Sequence, residues 1–198
     1  MFKKWVIKAI VQKTISFLPF GHRLNYFFQK ATGRVELTDE YFIDRLKHAQ
    51  QHHHFFCKNS GNEQINCLYE LGTGWYPIIP IYFHLVGVKS IFTVDITSHL
   101  SIKNFLKTID KFKEFEERDL LKEYFERDFD LNKLNGPTPA NLEEALTNAG
   151  IKQLICDAGN TPFEDDQFDL VISNNTFEHI YPEKLKQILR DMQRVTKP

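Results

Sequence analysis

Residues 65–74 read Ile65-Asn66-Cys67-Leu68-Tyr69-Glu70-Leu71-Gly72-Thr73-Gly74. A short, mostly apolar run that stops at a glycine cluster is the pattern of a parallel-sheet strand, which is buried on both faces. Trp75-Tyr76-Pro77 and an apolar stretch follow. Pro77 suits the first turn of a helix, and Gly87 can end it. Ser90-Ile91-Phe92-Thr93-Val94-Asp95 is then a second strand, apolar and rich in β-branched residues, with an acid at its carboxyl end. Strand, glycine turn, helix, strand and acid make a βαβ unit. The spacing therefore predicts an α/β domain on a doubly wound parallel sheet.

Downstream, residues 151–156 read as a third strand ending at Asp157, and residues 169–173 as a fourth, preceded by a turn at Glu164-Asp165-Asp166. A last helix starts near Pro182 and carries Leu185, Ile188, Leu189, Met192 and Val195 on one face. Between strands two and three, residues 101–150 read as a helical insertion lying over one edge of the sheet. Ile102, Phe105, Leu106, Ile109 and Phe112 recur in it at helical spacing. A second helical segment carries Leu120, Leu121, Tyr124 and Phe125, and Asn141 caps a short third helix. Upstream, residues 1–60 read as a helical appendage with a break at Leu18-Pro19-Phe20-Gly21. The expected organisation is an appendage over 1–60 and a sheet domain over 61–198.

With 198 residues, the chain has room for one domain plus an appendage. A hydrophobic share of 42% and a charged share of 26% exclude wholesale disorder. The net charge of -1 supplies no field that would draw the chain onto nucleic acid. Cys57, Cys67 and Cys156 form neither a disulfide framework nor a metal-ligand spacing, which suits a reducing, cytoplasmic compartment. No metal site is expected: His52, His53 and His54 are adjacent, so on a helix they point in different directions, and His48 brings no carboxylate or cysteine to complete a set. The greasiest stretch, residues 76–88, carries two prolines and His84, so it is not a membrane span. Residues 1–35 hold seven Lys or Arg and no acid among aromatic and aliphatic residues. Two readings stay open for them, a helix packed on the domain and a peripheral contact with an anionic membrane surface.

Parallel sheets of this kind bind ligands outside the carboxyl ends of their strands, where Glu70, Gly72, Gly74, Asp95, Asp157 and the residues after strand four all fall. Gly72 and Gly74 let the backbone turn tightly and approach a ligand. Asp95, 21 residues after Gly74, is where an acid can accept from the vicinal hydroxyls of a ribose. Glu70 puts negative charge beside the ligand, which suits a cationic group better than a pyrophosphate.

Glu70-Leu71-Gly72-Thr73-Gly74, Asp95, Asp157-Ala158, Pro162-Phe163, Phe168-Asp169-Leu170-Val171 and Glu178-His179 together resemble the class I S-adenosylmethionine-dependent methyltransferases, in their small-molecule branch. The resemblance covers residues 65–100 and 151–198. It implies a Rossmann-like fold with strands one to four present, and S-adenosylmethionine as cofactor. Glu70, Gly72 and Gly74 would line its methionine end, Asp95 its ribose, Asp157 and Ala158 its adenine, with Asn174 beside it. His179 would act as a base or orient the acceptor.

The acceptor would be a small molecule, with a sugar or a lipid-linked precursor as the expected class. Ser173-Asn174-Asn175-Thr176-Phe177 lacks the Asn-Pro-Pro-Tyr pattern of nucleic-acid base methylation. Three departures are visible: Tyr76 stands where a third glycine is common, the interval from Asp95 to Asp157 is long, and no fifth strand or hairpin follows Lys197-Pro198. The last implies either a truncated sheet or one completed in another way. It motivates the alternative of a non-catalytic remnant that binds cofactor or a partner. A nicotinamide-dependent oxidoreductase rests only on the glycine turn and Asp95.

Overall fold

The first described helix begins where the sequence supplies a cap. In a computed structural model that describes residues 36–61 and 64–198, α1 (Asp39–Ser60) starts after Thr38, whose hydroxyl accepts from the Tyr41 N–H at 3.2 Å. It ends at Gly61, which takes the left-handed φ of 63°. The basic section through residue 35, with its expected break and its two readings, lies outside the described residues. No helix among the described residues is long and apolar enough to cross a membrane.

Among the described residues the sheet has four parallel strands in the order β3-β2-β1-β4, with β1 (Cys67–Leu71), β2 (Ser90–Asp95), β3 (Ile151–Ile155) and β4 (Leu170–Ser173). Glu70 lies between Thr93 and Ile172 in register, and Leu71 between Val94 and Ser173. β1 starts two residues later than the apolar run predicts, because the N–H groups of Asn66 and Cys67 both donate to the Asp169 carboxylate at 2.8 Å. α2 (Ile78–Leu85) joins β1 to β2, and Gly87 follows it at φ 101°.

Residues 101–150 form the crossover between the parallel neighbours β2 and β3, which two parallel strands require. Its helices are α3 (Ile102–Glu117), capped by Ser101, and α4 (Leu142–Asn148), capped by Asn141. The expected second helix is instead one 3-10 turn, Leu121–Tyr124, because the chain breaks at Asp119, held at φ 53°. α5 (Pro182–Val195) follows β4 with proline in its first turn, and Thr196 then forms a parallel bridge to Phe168.

The two faces of the sheet are filled differently. Tyr69, Leu71 and Val94 pack with Phe163, Phe168, Ile188 and Val195 under α5. On α1, the buried stripe Phe42, Leu46, Ala49 and His53 packs toward α2, where His53 meets the Tyr82 and Phe83 rings edge-on. The three adjacent histidines diverge as their helical spacing requires: His52 reaches Asn174, His53 is buried, and His54 pairs with Glu126.

The turn after β3 is tied to α5 by a buried acid. Asp191 accepts from the N–H and hydroxyl of Thr161 and from Arg194 at 2.8 Å, while Arg194 also donates to Phe163 O at 2.8 Å. Breaking a buried pair strands its partners, so Asp191→Ala is expected to lower stability by about 3 kcal/mol. For a chain of this size that corresponds to a fall in Tm of about 10 °C in a thermal scan. An unchanged Tm would show that the network is not stabilising.

Candidate functional site

β2 lies on one side of β1 and β4 on the other, so the strand order reverses between β1 and β4, and a crevice opens at their carboxyl ends. There the chain leaves β1 through Gly72 at φ 86° and Gly74 at φ 71°. Gly72 N–H donates to Val94 O at 2.9 Å, which pins the turn to β2. A Cβ on Gly72 would overlap the Thr176 side chain. Ser173 Oγ donates to Leu71 O at 3.1 Å, which pins the same turn to β4.

Two carboxylates flank this turn and both are strained electrostatically. Glu70 is 2% exposed and accepts from the Thr73 hydroxyl at 2.7 Å. Burial pushes its pKa up to about 7, against the Thr73 hydrogen bond and with help from the Asp95 charge. Asp95 accepts from the Gly74 N–H at 3.4 Å. Burial lifts its pKa to about 6, while backbone donors at Gly74 and Thr73 hold it down. A shared cationic or hydroxyl-bearing ligand would relieve both groups, and this is what such shifts at a crevice point to.

Past Asp95 runs a cleft of about 330 Å³, walled by Gly72, Asp95, Ile96, Asp157, Ala158 and Ile188, with His179 and Tyr181 at its mouth. Ile96 and Tyr181 are 74% and 80% exposed, which is unusual for large apolar residues beside a cleft. Asp157 is held below the usual carboxylate range, first by Lys184 and then by the Gly159 N–H at 2.9 Å. The second of these is the Asx-turn that an Asp at such a position can form. Ala158 is buried. His179 is 72% exposed on a 3-10 turn, Phe177–His179, with Nε2 3.9 Å from Glu178.

On the other side of Glu70, α1 brings residues that the sequence places in the appendage. Arg45 lies over the Tyr41 ring at 5.1 Å, pairs with Asp44 at 3.1 Å, and donates to the Asn175 side-chain oxygen. Its charge acts on Glu70. His52 Nε2 lies 2.9 Å from Asn174 Oδ1, and burial lowers the His52 pKa. Asn175 itself is held at φ 52°, so the loop after β4 turns sharply toward α1.

The structure therefore brings Glu70, Gly72, Gly74, Asp95 and Asn174 to one crevice, with Asp157 and Ala158 along the adjoining cleft and His179 at its outer edge. Sequence reasoning passes over Tyr41, Arg45, His52, Ile96 and Thr176. A signal for the first three exists: Tyr41, Arg45, His48 and His52 recur at steps of four, three and four beside the apolar stripe Phe42, Leu46, Ala49 and His53. That makes a polar seam along one helix.

Comparison with known proteins bears on the same region. Residues 121–198 match the methyltransferase domain family. No curated protein matches the chain. Among solved structures, a protein of Pyrococcus horikoshii is similar with a TM-score of 0.48 and 18% identity, over 82% of this chain and 57% of that one. A candidate S-adenosyl-L-methionine-dependent methyltransferase of Methanococcus maripaludis has a TM-score of 0.45 and 14% identity, over 80% of this chain and 54% of that one. A complex of a methyltransferase activator with a candidate methyltransferase of Haloferax volcanii has a TM-score of 0.44 and 18% identity, over 86% and 54%. The chain thus spans just over half the length of these structures.

Proposed function

We propose that this chain, whose residues 121–198 match the methyltransferase domain family and whose sheet is parallel, is a class I S-adenosylmethionine-dependent methyltransferase that binds S-adenosylmethionine in the crevice and methylates a small molecule. The observation that carries this reading is Glu70. A carboxylate 2% exposed, with a pKa near 7 and, among the described residues, only a threonine hydroxyl bonded to it, is matched by a cationic ligand. When bound, the cofactor supplies a methyl group on a sulfonium, and transfer breaks the carbon–sulfur bond with the electron pair left on sulfur.

The residues present fit that group along its length. Arg45 is matched to the carboxylate of the amino-acid tail, Gly72 and Gly74 leave room for it, and Glu70 would stay ionised beside the positive charge. Asp95 would accept from the ribose hydroxyls. Ile96, Ala158 and Tyr181 offer apolar surface for a flat base, and Asp157 an acceptor for its amino group. Asn174 stands where the methyl end of the site meets the acceptor.

Methyl transfer needs little beyond alignment and a dry site, so the chain's main contribution is positioning. His179, which lines the mouth of the cleft, would take a proton from a hydroxyl acceptor or orient it. A small acceptor, with a sugar or lipid-linked precursor as the class, is supported by the loop after β4, which lacks the pattern of base methylation. Contact of the basic N-terminus with an anionic membrane would suit a lipid-linked acceptor.

The test compares S-adenosylmethionine with its demethylated product across pH by calorimetry. The first carries the sulfonium charge and the second does not, so their affinity ratio isolates Glu70 while contributions common to both cancel. Ionising Glu70 favours only the cation, so the ratio is expected to rise by about tenfold from pH 5.5 to pH 8. In Glu70→Gln it should stay flat. A flat ratio in the unaltered chain would remove Glu70 from the cationic end of the site, and no binding of either compound would sink the reading.

A further inference from the structure

A second cavity, of about 150 Å³, lies between α3, α4 and the chain that joins them. His84 near the end of α2 and Ala149 just before β3 help to line it, so it sits toward the amino ends of β2 and β3, at the other end of the sheet from the crevice. It shares no wall residue with the cleft beside Asp95. Its floor is Phe105 and Ile109 of α3, Leu134 of a 3-10 turn (Leu131–Leu134), and Ala145 and Ala149 of α4 and its cap, all buried. Pro137 and Pro139 form part of the wall and fix its backbone torsions, so the space is held open by the fold. Protein interiors leave few voids larger than a water molecule, and an apolar space of about 150 Å³ accepts a benzene-sized body.

Charge at this cavity is mostly of one sign. Lys113 and Lys133 both line it, and the one acid in the wall is Asp110, exposed one turn before Lys113 on α3. Lys111 and Arg118 share Asp39 and Glu114. Lys113, two residues on from Lys111 and so about 200° round the helix, is half-buried and has no ion pair among the described residues. Lys133 Nζ donates to His84 O at 2.8 Å, which leaves the ammonium two further N–H donors. Burial, with help from Lys133, lowers the His84 pKa, so that ring adds no charge near pH 7. An apolar pocket with two cations in its wall matches an anion that carries a hydrocarbon body.

We infer that this cavity binds a small monocarboxylate whose body is one ring or a short branched chain, with the carboxylate on Lys113 and Lys133 and the body against Phe105, Ile109 and Leu134. The assignment does not depend on the methyltransferase reading. A second carboxylate would be left against the apolar floor without a partner, and an amine would meet the two lysines, so a single negative charge is what the wall accepts.

The experiment uses the full chain, carbon-13 labelled at its Ile, Leu and Ala methyl groups, titrated with benzoate, benzyl alcohol and benzylamine, which share a ring and differ in charge. Benzoate is expected to shift the methyl resonances of Ile109, Leu134 and Ala145 saturably. It should leave those of Ile96 and Ala158, at the cleft beside Asp95, in place. Benzyl alcohol should bind about tenfold more weakly than benzoate, and benzylamine more weakly still. Lys113→Met should weaken benzoate by about tenfold, the loss of one charge-assisted hydrogen bond, with benzyl alcohol unaffected, whereas Lys113→Arg should keep benzoate within about threefold. Lys113 has no ion-pair partner to strand, so both variants should unfold at the Tm of the unaltered chain. Shifts confined to Ile96 and Ala158, no saturable shift at the cavity methyl groups, benzyl alcohol or benzylamine equal to benzoate, or benzoate affinity unchanged in Lys113→Met would each overturn the proposal.

Discussion

Asp95→Ala is expected to reduce affinity for the demethylated cofactor by at least about a hundredfold at pH 8. The carboxylate ends β2 in the crevice, is largely buried, and is already bonded to the Gly74 N–H of the glycine turn at 3.4 Å. Two hydrogen bonds from vicinal hydroxyls to a charged acceptor contribute about 1.5–3 kcal/mol each. Their joint loss accounts for that factor, since about 1.4 kcal/mol is tenfold. Calorimetric titration of both proteins gives the answer, and wild-type affinity in the variant would place the ribose elsewhere.

The same variant should change how the unliganded fold responds to pH. Asp95 and Glu70 have folded-state pKa values raised to about 6 and about 7, above 3.8 and 4.5. A group raised in this way contributes stability that is fully present below its unfolded pKa and is lost as pH rises through the folded one. Both terms therefore fade between about pH 4 and pH 7. Asp169, held low by Lys197 and by the N–H groups of Cys67 and Asn66 despite its burial, acts in the opposite sense. Its contribution is present above the ordinary carboxylate range and is lost as pH falls below it. The chain should thus have its highest Tm near pH 5, and Asp95→Ala should flatten the decline toward pH 8.

Gly72→Ala is expected to be the most damaging single methyl group in the crevice. At φ 86° an L side chain is strained by about 1–3 kcal/mol whatever the surrounding space. Here the new Cβ would also overlap Thr176 Oγ1 and stand 2.9 Å from Cγ2, and overpacking adds a further ~1–3 kcal/mol. Thr176 cannot swing away freely, because its hydroxyl lies 3.1 Å from Asn174 O and 3.4 Å from Leu71 O. A total near 4 kcal/mol is a large part of the ~5–15 kcal/mol that holds an ordinary domain folded. Denaturant unfolding should show a reduced midpoint for Gly72→Ala, with partial recovery when Thr176→Ala is added. Recovery cannot be complete, since the backbone strain remains. Gly74→Ala provides the contrast: nothing lies within 4 Å of its Cβ, so only the strain at φ 71° applies. Equal losses at the two glycines would show that the Thr176 contact is not what confines the turn.

The sheet was legible in the chain because its signals are local. Short apolar runs mark the strands, and three of the four end at a glycine or an acid, which marks the carboxyl ends where ligands bind. Asp95, Asp157 and the glycine turn could be placed for that reason. So could the cap at Asn141, since a cap is a contact between residues three apart.

What lay beyond reach was everything that joins positions far apart. Arg45 and His52 look like surface residues of an appendage, and only the packing of α1 shows that they face Asn175 and Asn174, the latter 122 residues from His52. The expected second helix of the crossover fails at Asp119, where a left-handed residue ends a run whose apolar spacing continues. Even the charge on Glu70 depends on burial, which no residue carries alone. Periodicity and turn chemistry act through neighbours and so are written in the chain itself. Desolvation and the meeting of α1 with the loop after β4 exist only once the chain has closed on itself.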